Sequence, residues 1–260
     1  MKTVIVTSHS FPEGKATANR VRAFAEKIIL NRDTDEVEIV TPVSLEEGVD
    51  QRDNRIKVIN LYKIEESPKN LVWRAMKELF ISFKLWSVVQ KSAADVVIVT
   101  IPSVLLLLPV IIFKKPKKLV LDVRDVVWSY FTAGILGLLL GNIMRRLFSL
   151  AANKADLISV TNFSEAKDVE SVSGVTPIVV ANGISNERLN SLRRIKKKCV
   201  YGKVNVTYVG NIGFAQELEI LIKFASYYAS VLEVHLVGKG IMLERLKKES
   251  IEENLQNFYF

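Results

Sequence analysis

The chain has 260 residues, of which 49% are apolar and 25% charged, with only 12 Gly and 7 Pro. That composition excludes an intrinsically disordered or collagen-like chain and leaves one large domain or two smaller ones. Lys and Arg number 36 against 28 Asp and Glu, and the single cysteine, Cys199, rules out an internal disulfide framework or a Cys-based zinc site.

Met1–Val6 opens a strand rather than a signal peptide, because its apolar run is short and no cleavage site follows. Short β-branched runs then recur at 3–7, 37–41, 56–60, 96–100, 119–123, 157–161 and 177–180. Three more follow at 204–209, 233–237 and 257–260. Helical stretches fall between them at 17–31, 70–92, 103–113, 136–153, 163–172, 215–230 and 241–254. Thr17 is placed to cap the first helix, since its hydroxyl can accept a bond from a free backbone N–H. Near-continuous apolar strands alternating with helices predict an α/β fold with a doubly wound parallel sheet. Ligands in such folds bind at the carboxyl ends of the strands.

A break falls near 183–203, where Gly183–Asn186 reads as a turn and the basic run Arg193–Lys198 follows. It divides the chain into domains 1–190 and 200–260. The second is short for independent folding and reads as an incomplete Rossmann-like domain. Charge is uneven: residues 111–210 hold 16 Lys and Arg against 7 Asp and Glu. Lys114–Lys118 and Arg193–Lys198 read either as solvated loops or as surfaces that meet phosphates of a nucleotide or an anionic membrane. Nucleic acid is not expected, because no recognition module for it is present. The longest apolar run, Val104–Phe113, holds Pro109 and is too short to span a bilayer. Segments near 71–89 and 128–148 mix Trp, Phe and Leu with Lys and Arg, a pattern of helices packed on a sheet or lying on a membrane surface.

Residues able to carry chemistry cluster after strands. Tyr208–Gln216 leads from a strand toward a helix through Gly210, Asn211 and Gly213, and the next strand ends at Gly238-Lys239-Gly240. Glycines let backbone approach a ligand, and a helix N-terminus suits a phosphate. Two such turns in adjacent units point to a nucleotide site more than either does alone; a plain tight turn is the simpler reading of each. At the front, the loop Ser8–Gly14 follows strand one and includes His9, with Asn19 and Arg20 in the helix behind it. It is read either as a ligand-facing loop or as a polar connection. His235, mid-strand, reads as a core residue with a satisfied nitrogen. Asp122-Val123-Arg124-Asp125 closes another strand, giving either a structural Asp–Arg pair or a carboxylate able to take a proton from a hydroxyl. Asp33-Thr34-Asp35 has a metal-holding spacing but sits among polar residues, and reads as a solvated turn.

Taken together, Ser8–Arg20, Val120–Trp128, Ala155–Thr161, Ala181-Asn182-Gly183 and Tyr208–Leu221 resemble the family 4 glycosyltransferases of GT-B architecture. The resemblance is strongest to the subgroup related to bacterial fucosamine transferases, and Tyr208–Leu221 is its most specific part. It implies a GT-B-like fold and a retaining transfer of a sugar from a nucleotide-sugar to a glycan or lipid-linked acceptor in cell-envelope or surface polysaccharide synthesis. No cofactor and no essential metal are implied. By similarity, Gly210, Asn211 and Gly213 would meet the donor diphosphate, Gly238 the nucleoside, and Gly14 the phosphates from the opposite side. Asp125 would stand near the reacting sugar as the candidate catalytic residue, with His9, Asn19, Arg20 and Arg124 on the acceptor side. Family members run longer. Glu244 and Glu252 repeat the spacing of the family's Glu-x7-Glu segment, as do Glu38 and Glu46, but neither pair stands in its context.

The expected setting is cytoplasmic, at the inner face of the plasma membrane. Two other readings stand beside this one: a non-catalytic acceptor-binding half whose donor side comes from a second chain, and a nucleotide-sugar epimerase.

Overall fold

The computed structural model describes residues 1–11, 16–43, 53–62, 70–101, 103–131, 134–184, 186–195 and 202–260. Two compact units divide the chain, Met1–Gly183 and Ile184–Phe260.

The first unit is a parallel sheet of β1 (Lys2–Val6), β2 (Glu36–Val43), β3 (Ile56–Tyr62), β4 (Val96–Ile101), β5 (Lys118–Val123), β6 (Leu157–Val160) and β7 (Ile178–Val179). Their order is β3-β2-β1-β4-β5-β6-β7. Strand order therefore reverses between β1 and β4, where crossovers leave in opposite directions and open a crevice at the carboxyl edge. Alternation fixes the two faces: Val4, Val6, Val97, Val99, Leu119 and Leu121 enter one core, and Ile5, Ile39 and Ile98 the other. Helix α1 (Ala16–Ile29) covers the second core through Ala18, Val21, Ala25 and Ile29. The first core is closed by α2 (Leu71–Lys91), α3 (Leu107–Ile112), α4 (Gly134–Ala152) and α5 (Phe163–Ser173), with Leu85, Trp86, Leu107, Phe148 and Val169 fully buried. The Asn70 side chain caps α2 by accepting from the N–H groups of Val72 and Trp73. Gly174, at φ 70°, ends α5 in the left-handed conformation that a side chain would disfavour.

The second unit holds α6 (Asn186–Arg193) and a three-stranded parallel sheet of β8 (Val204–Asn211), β9 (Leu232–Lys239) and β10 (Phe258–Tyr259), ordered β10-β9-β8. Helices α7 (Glu219–Tyr227) and α8 (Leu243–Glu252) supply Ile222, Ala225 and Leu246 to a core with Val234, Leu236 and Phe258.

Several expectations need correction. Thr17 lies inside α1, which begins at Ala16, so it is not the cap. Asn186–Arg193 is helical, although Gly183–Asn186 reads as a turn in sequence. The expected helix 215–230 is shortened: a 3-10 turn over Phe214–Gln216 ends at Glu217, whose φ of 47° breaks the helical path, and α7 starts only at Glu219. His235 is not a core residue. Its side chain is 36% exposed, Nε2 lies 3.1 Å from Asn205 Oδ1, and the ring stacks on Tyr259. Asp33 and Asp35 are exposed, but Thr34 between them is buried, so the expected solvated turn is only partly solvated. Asp33-Thr34-Asp35 is a turn at the amino edge of the first sheet, and Asp35 pairs with the chain's amino group at 2.5 Å.

Candidate functional site

At the carboxyl edge of the first sheet, β5 runs out through Val123, Arg124 and Asp125. Asp122, the last buried charge of the strand, does not pair with its neighbour Arg124. It binds Arg20 from α1, which donates from Nη2 to Oδ1 at 2.7 Å and from Nε to both oxygens at 3.0 and 3.2 Å. Ser159 on β6 donates its hydroxyl to the same Oδ1 at 2.7 Å. Arg20 Nη1 reaches past the strand to the carbonyl of Val180 at 2.6 Å and to Asn182 Oδ1 at 3.3 Å. The guanidinium also stands over the Phe24 ring at 4.8 Å. Arg20 is therefore buried and committed to protein partners, tying α1, β5, β6 and the segment after β7 together. Such a pair is tolerated in the interior because its hydrogen-bonding capacity is filled on both sides.

Beyond it the edge becomes open. Asp125 is exposed and Arg124 half-buried. Lost hydration pushes the Asp125 carboxyl above its ordinary range; Arg124 and His9 oppose that shift and Glu165 adds to it. Lost hydration also lowers the Arg124 guanidinium, against the pull of Asp122. Its Nε is buried with no hydrogen-bond partner among the described residues. Tyr130, in the 3-10 turn after β5, has its phenol raised by lost hydration and then by Asp125 and Glu165. His9, Arg124, Asp125, Tyr130 and Glu165 thus share one field at the edge, and Tyr130 and Glu165 are members that sequence reasoning missed. The signal was available for Glu165, which stands three residues after Asn162 as a cap pattern. Asn162 Oδ1 accepts from the Glu165 N–H at 2.9 Å, while Glu165 Oε2 accepts from the Thr161 N–H and hydroxyl at 3.0 and 2.5 Å. The His9 carbonyl accepts from the Thr41 hydroxyl at 2.7 Å, which fixes the loop after β1. Asn19 is exposed on α1. Gly14 lies outside the described residues.

In the second unit, the glycine turn follows β8. Gly210 pairs with Gly238 and Asn211 with Lys239 across the ladder. A side chain on Gly238 would place its Cβ 1.8 Å from the Gly210 carbonyl oxygen, and one on Gly240 would lie 2.0 Å from that of Ile212. Both glycines are thus required by strand-to-strand contact within the unit. Gly213 differs: its Cβ would meet only the side-chain ends of Asn211 and Gln216. Gln216 Oε1 accepts from the Gly213 N–H at 3.1 Å, and the Tyr208 hydroxyl donates to the Asn211 carbonyl at 2.8 Å. Gly210 and Asn211 are exposed. Glu219 in the first turn of α7 sets a negative charge where an anion would otherwise be favoured, so the turn itself is the phosphate-sized feature here.

The basic run Lys114–Lys118 stands at the amino edge of the first sheet, opposite the site. Lys115 pairs with Asp156 at 2.9 Å and Lys117 with Asp95 at 2.6 Å. Of the second run, 196–198 lie outside the described residues.

No family model and no curated protein matches the sequence. Solved structures do. The sucrose-phosphate synthase of Thermosynechococcus elongatus has a TM-score of 0.69 at 14% identity, over 100% of this chain and 70% of that one. HepE of Anabaena, solved with UDP and glucose, has a TM-score of 0.64 at 13% identity, over 100% and 68%. The UDP-GlcNAc 2-epimerase of Neisseria meningitidis, bound to UDP-GlcNAc, has a TM-score of 0.54 at 12% identity, over 100% and 71%. At these identities the likeness establishes the α/β, GT-B-like fold expected from sequence and leaves the chemistry to be argued from the residues.

Proposed function

We propose that the chain is a glycosyltransferase, similar to family 4 and its fucosamine-transferase-like members. It would move a sugar from a nucleotide-sugar to a glycan or lipid-linked acceptor with retention of configuration, in cell-envelope or surface polysaccharide synthesis at the cytoplasmic face. The observation that carries this reading is the exposed Asp125 carboxyl, held above its ordinary range at the open carboxyl edge of a fold shared with UDP-bound structures. In the reaction, the bond from sugar C1 to the diphosphate breaks and the acceptor oxygen bonds to C1 on the face the diphosphate leaves, so that configuration is retained. Asp125 orients the acceptor hydroxyl and receives its proton, a role a carboxylate of raised proton affinity suits. Arg124 and His9 hold that charge. Within the second unit, the turn at Gly210, Asn211 and Gly213 is the feature that suits a diphosphate, through backbone N–H groups that offset charge on its oxygens. No metal is assigned to this step.

The test is calorimetry of the 260-residue chain with uridine and guanosine diphosphates, followed by product analysis with a panel of nucleotide-sugars and lipid-linked acceptors. Retained anomeric configuration and turnover in the presence of a chelator are expected. Failure to bind either nucleotide, with acceptor binding intact, would favour a non-catalytic acceptor-binding half served by a second chain. The likeness to a nucleotide-sugar epimerase favours one further reading. Interconversion of a nucleotide-sugar with no acceptor present would establish it in place of transfer.

A further inference from the structure

Arg20 and Arg124 both stand at the end of β5, and contact neutralises only the first. Arg20 takes the Asp122 carboxylate, the Val180 carbonyl and Asn182 Oδ1. Arg124 is half-buried, and its Nε is shielded from solvent without an acceptor among the described residues. Asp122, Asp125 and Glu165 act on it only through space. The first of these is full: Oδ1 accepts from Arg20 and Ser159, and Oδ2 from Arg20. Glu165 Oε2 accepts from the N–H and hydroxyl of Thr161. Asp125 lies exposed at the rim, with no bond to the guanidinium. A charged donor buried without an acceptor is costly, and a native chain that keeps one calls for a partner from outside. At the same edge, Tyr130 is 69% exposed, within the field of Asp125 and Glu165.

We propose, on the reading of this edge as the acceptor side of a transferase, that Arg124 binds an oxyanion on the acceptor sugar, a carboxylate or a phosphate, and so selects acidic sugars over neutral ones. A neutral hydroxyl also accepts from a guanidinium but leaves its charge uncompensated. A water on Nε would fill the nitrogen and do no more. An oxyanion meets both needs, through hydrogen bonds roughly twice as strong. The planar fork takes two oxygens of one group at once, the geometry that carboxylates and phosphates share. Like charge on Asp125 and Glu165 keeps the oxyanion on the guanidinium and leaves the acids to the sugar's hydroxyls, which donate to them. Tyr130 offers an apolar ring face with a polar end, and a pyranose offers the same pairing. Arg124 is thus a specificity-determining residue, distinct in task from Asp125: one reads a charge on the acceptor, the other takes the proton of its reacting hydroxyl.

The test is a ligand-observed NMR titration of the 260-residue chain with methyl glucoside, methyl glucuronide and methyl glucoside 6-phosphate, which share a ring and differ only at C6. An acidic probe is expected to bind about tenfold or more tighter than methyl glucoside, the worth of a charge-assisted hydrogen bond. Tightest binding of the glucuronide identifies a carboxylate as the group read, and tightest binding of the 6-phosphate identifies a phosphate. Arg124→Gln is expected to bring the acidic probes down to the level of methyl glucoside at unchanged circular dichroism. Arg124→Lys is expected to recover part of the preference, because it restores the charge without the fork. Equal binding of all three probes overturns the proposal, and that measurement needs no variant to fold. So does a preference that survives Arg124→Gln, or a chain that binds none of the probes. Titration with uridine and guanosine diphosphates keeps the two readings apart. Equal probe binding beside tight nucleotide binding leaves a transferase without an acidic acceptor. An Arg124-dependent preference without nucleotide binding upholds the acidic-sugar site in a chain that does not transfer.

Discussion

Arg20 and Asp122 stand 102 residues apart in the chain and meet through three hydrogen bonds, with side chains 4% and 0% exposed. The same guanidinium holds the Val180 carbonyl, so one side chain fixes where the segment carrying Asn182 leaves the sheet. Its removal strands a buried carboxylate. Arg20→Ala is expected to cost about 3–5 kcal/mol in urea unfolding of the first unit, more than Arg124→Ala at the half-exposed neighbouring position. Equal losses for the two variants would show that the buried pair has no special weight.

Under the proposed function, replacing Asp125 would separate activity from stability. Its carboxyl is raised above the ordinary aspartate value of 3.8, chiefly by lost hydration. A folded state with a raised acid binds more protons than the unfolded chain, so this group's contribution to stability falls as pH rises through its folded pKa. Asp125→Asn is therefore expected to hold or slightly raise the thermal midpoint at pH 7, with the difference vanishing below the unfolded value. Transfer activity is expected to fall by about 100-fold or more, the usual size of a lost general base. Thermal melts at pH 3.5 and 7, beside rate measurements, check both arms.

The glycines of the second unit split by what surrounds them. Gly238→Ala drives a Cβ into the Gly210 backbone and is expected to destabilise the second unit by about 1–3 kcal/mol. Gly213→Ala presses only on the ends of Asn211 and Gln216, which can move. It is expected to leave chemical unfolding nearly unchanged while weakening uridine diphosphate binding. A Gly238→Ala chain of full stability would show that the strands can part there.

Gln216 occupies the N–H of Gly213 that a phosphate oxygen would use. Gln216→Ala removes that competitor. Binding of the diphosphate is expected to tighten by about two- to tenfold, the worth of one hydrogen bond. Weaker binding would mean that Gln216 contacts the ligand directly, and calorimetry separates the two.

The ten strands among the described residues were legible in the sequence because they are written locally, in β-branched runs such as Val96–Ile101. Helix α6 was not: Asn186–Arg193 is mostly polar, with no apolar stripe to distinguish it from a loop. The partner of Asp122 was hidden for a different reason. Sequence proximity favours Arg124, whereas the fold brings Arg20 from α1 beneath β5, and nothing local to either residue records that distance. Gly238 and Gly240 were visible as a glycine-rich turn, but the reason for them, contact with the chain after β8, exists only once the strands pair. Asp125 could be placed at a strand end from sequence alone; its field, drawn also from His9 after β1 and Glu165 of α5, could not.

The cap on α5 also governs what can approach the first sheet. Asn162 and Glu165 already occupy the positive pole of that helix, and Glu165 places a carboxylate close to Asp125. An arriving phosphoryl group would find that helix pole already capped. The pole of α5 is therefore satisfied from within the chain, and an anion gains no open backbone N–H from Glu165 there.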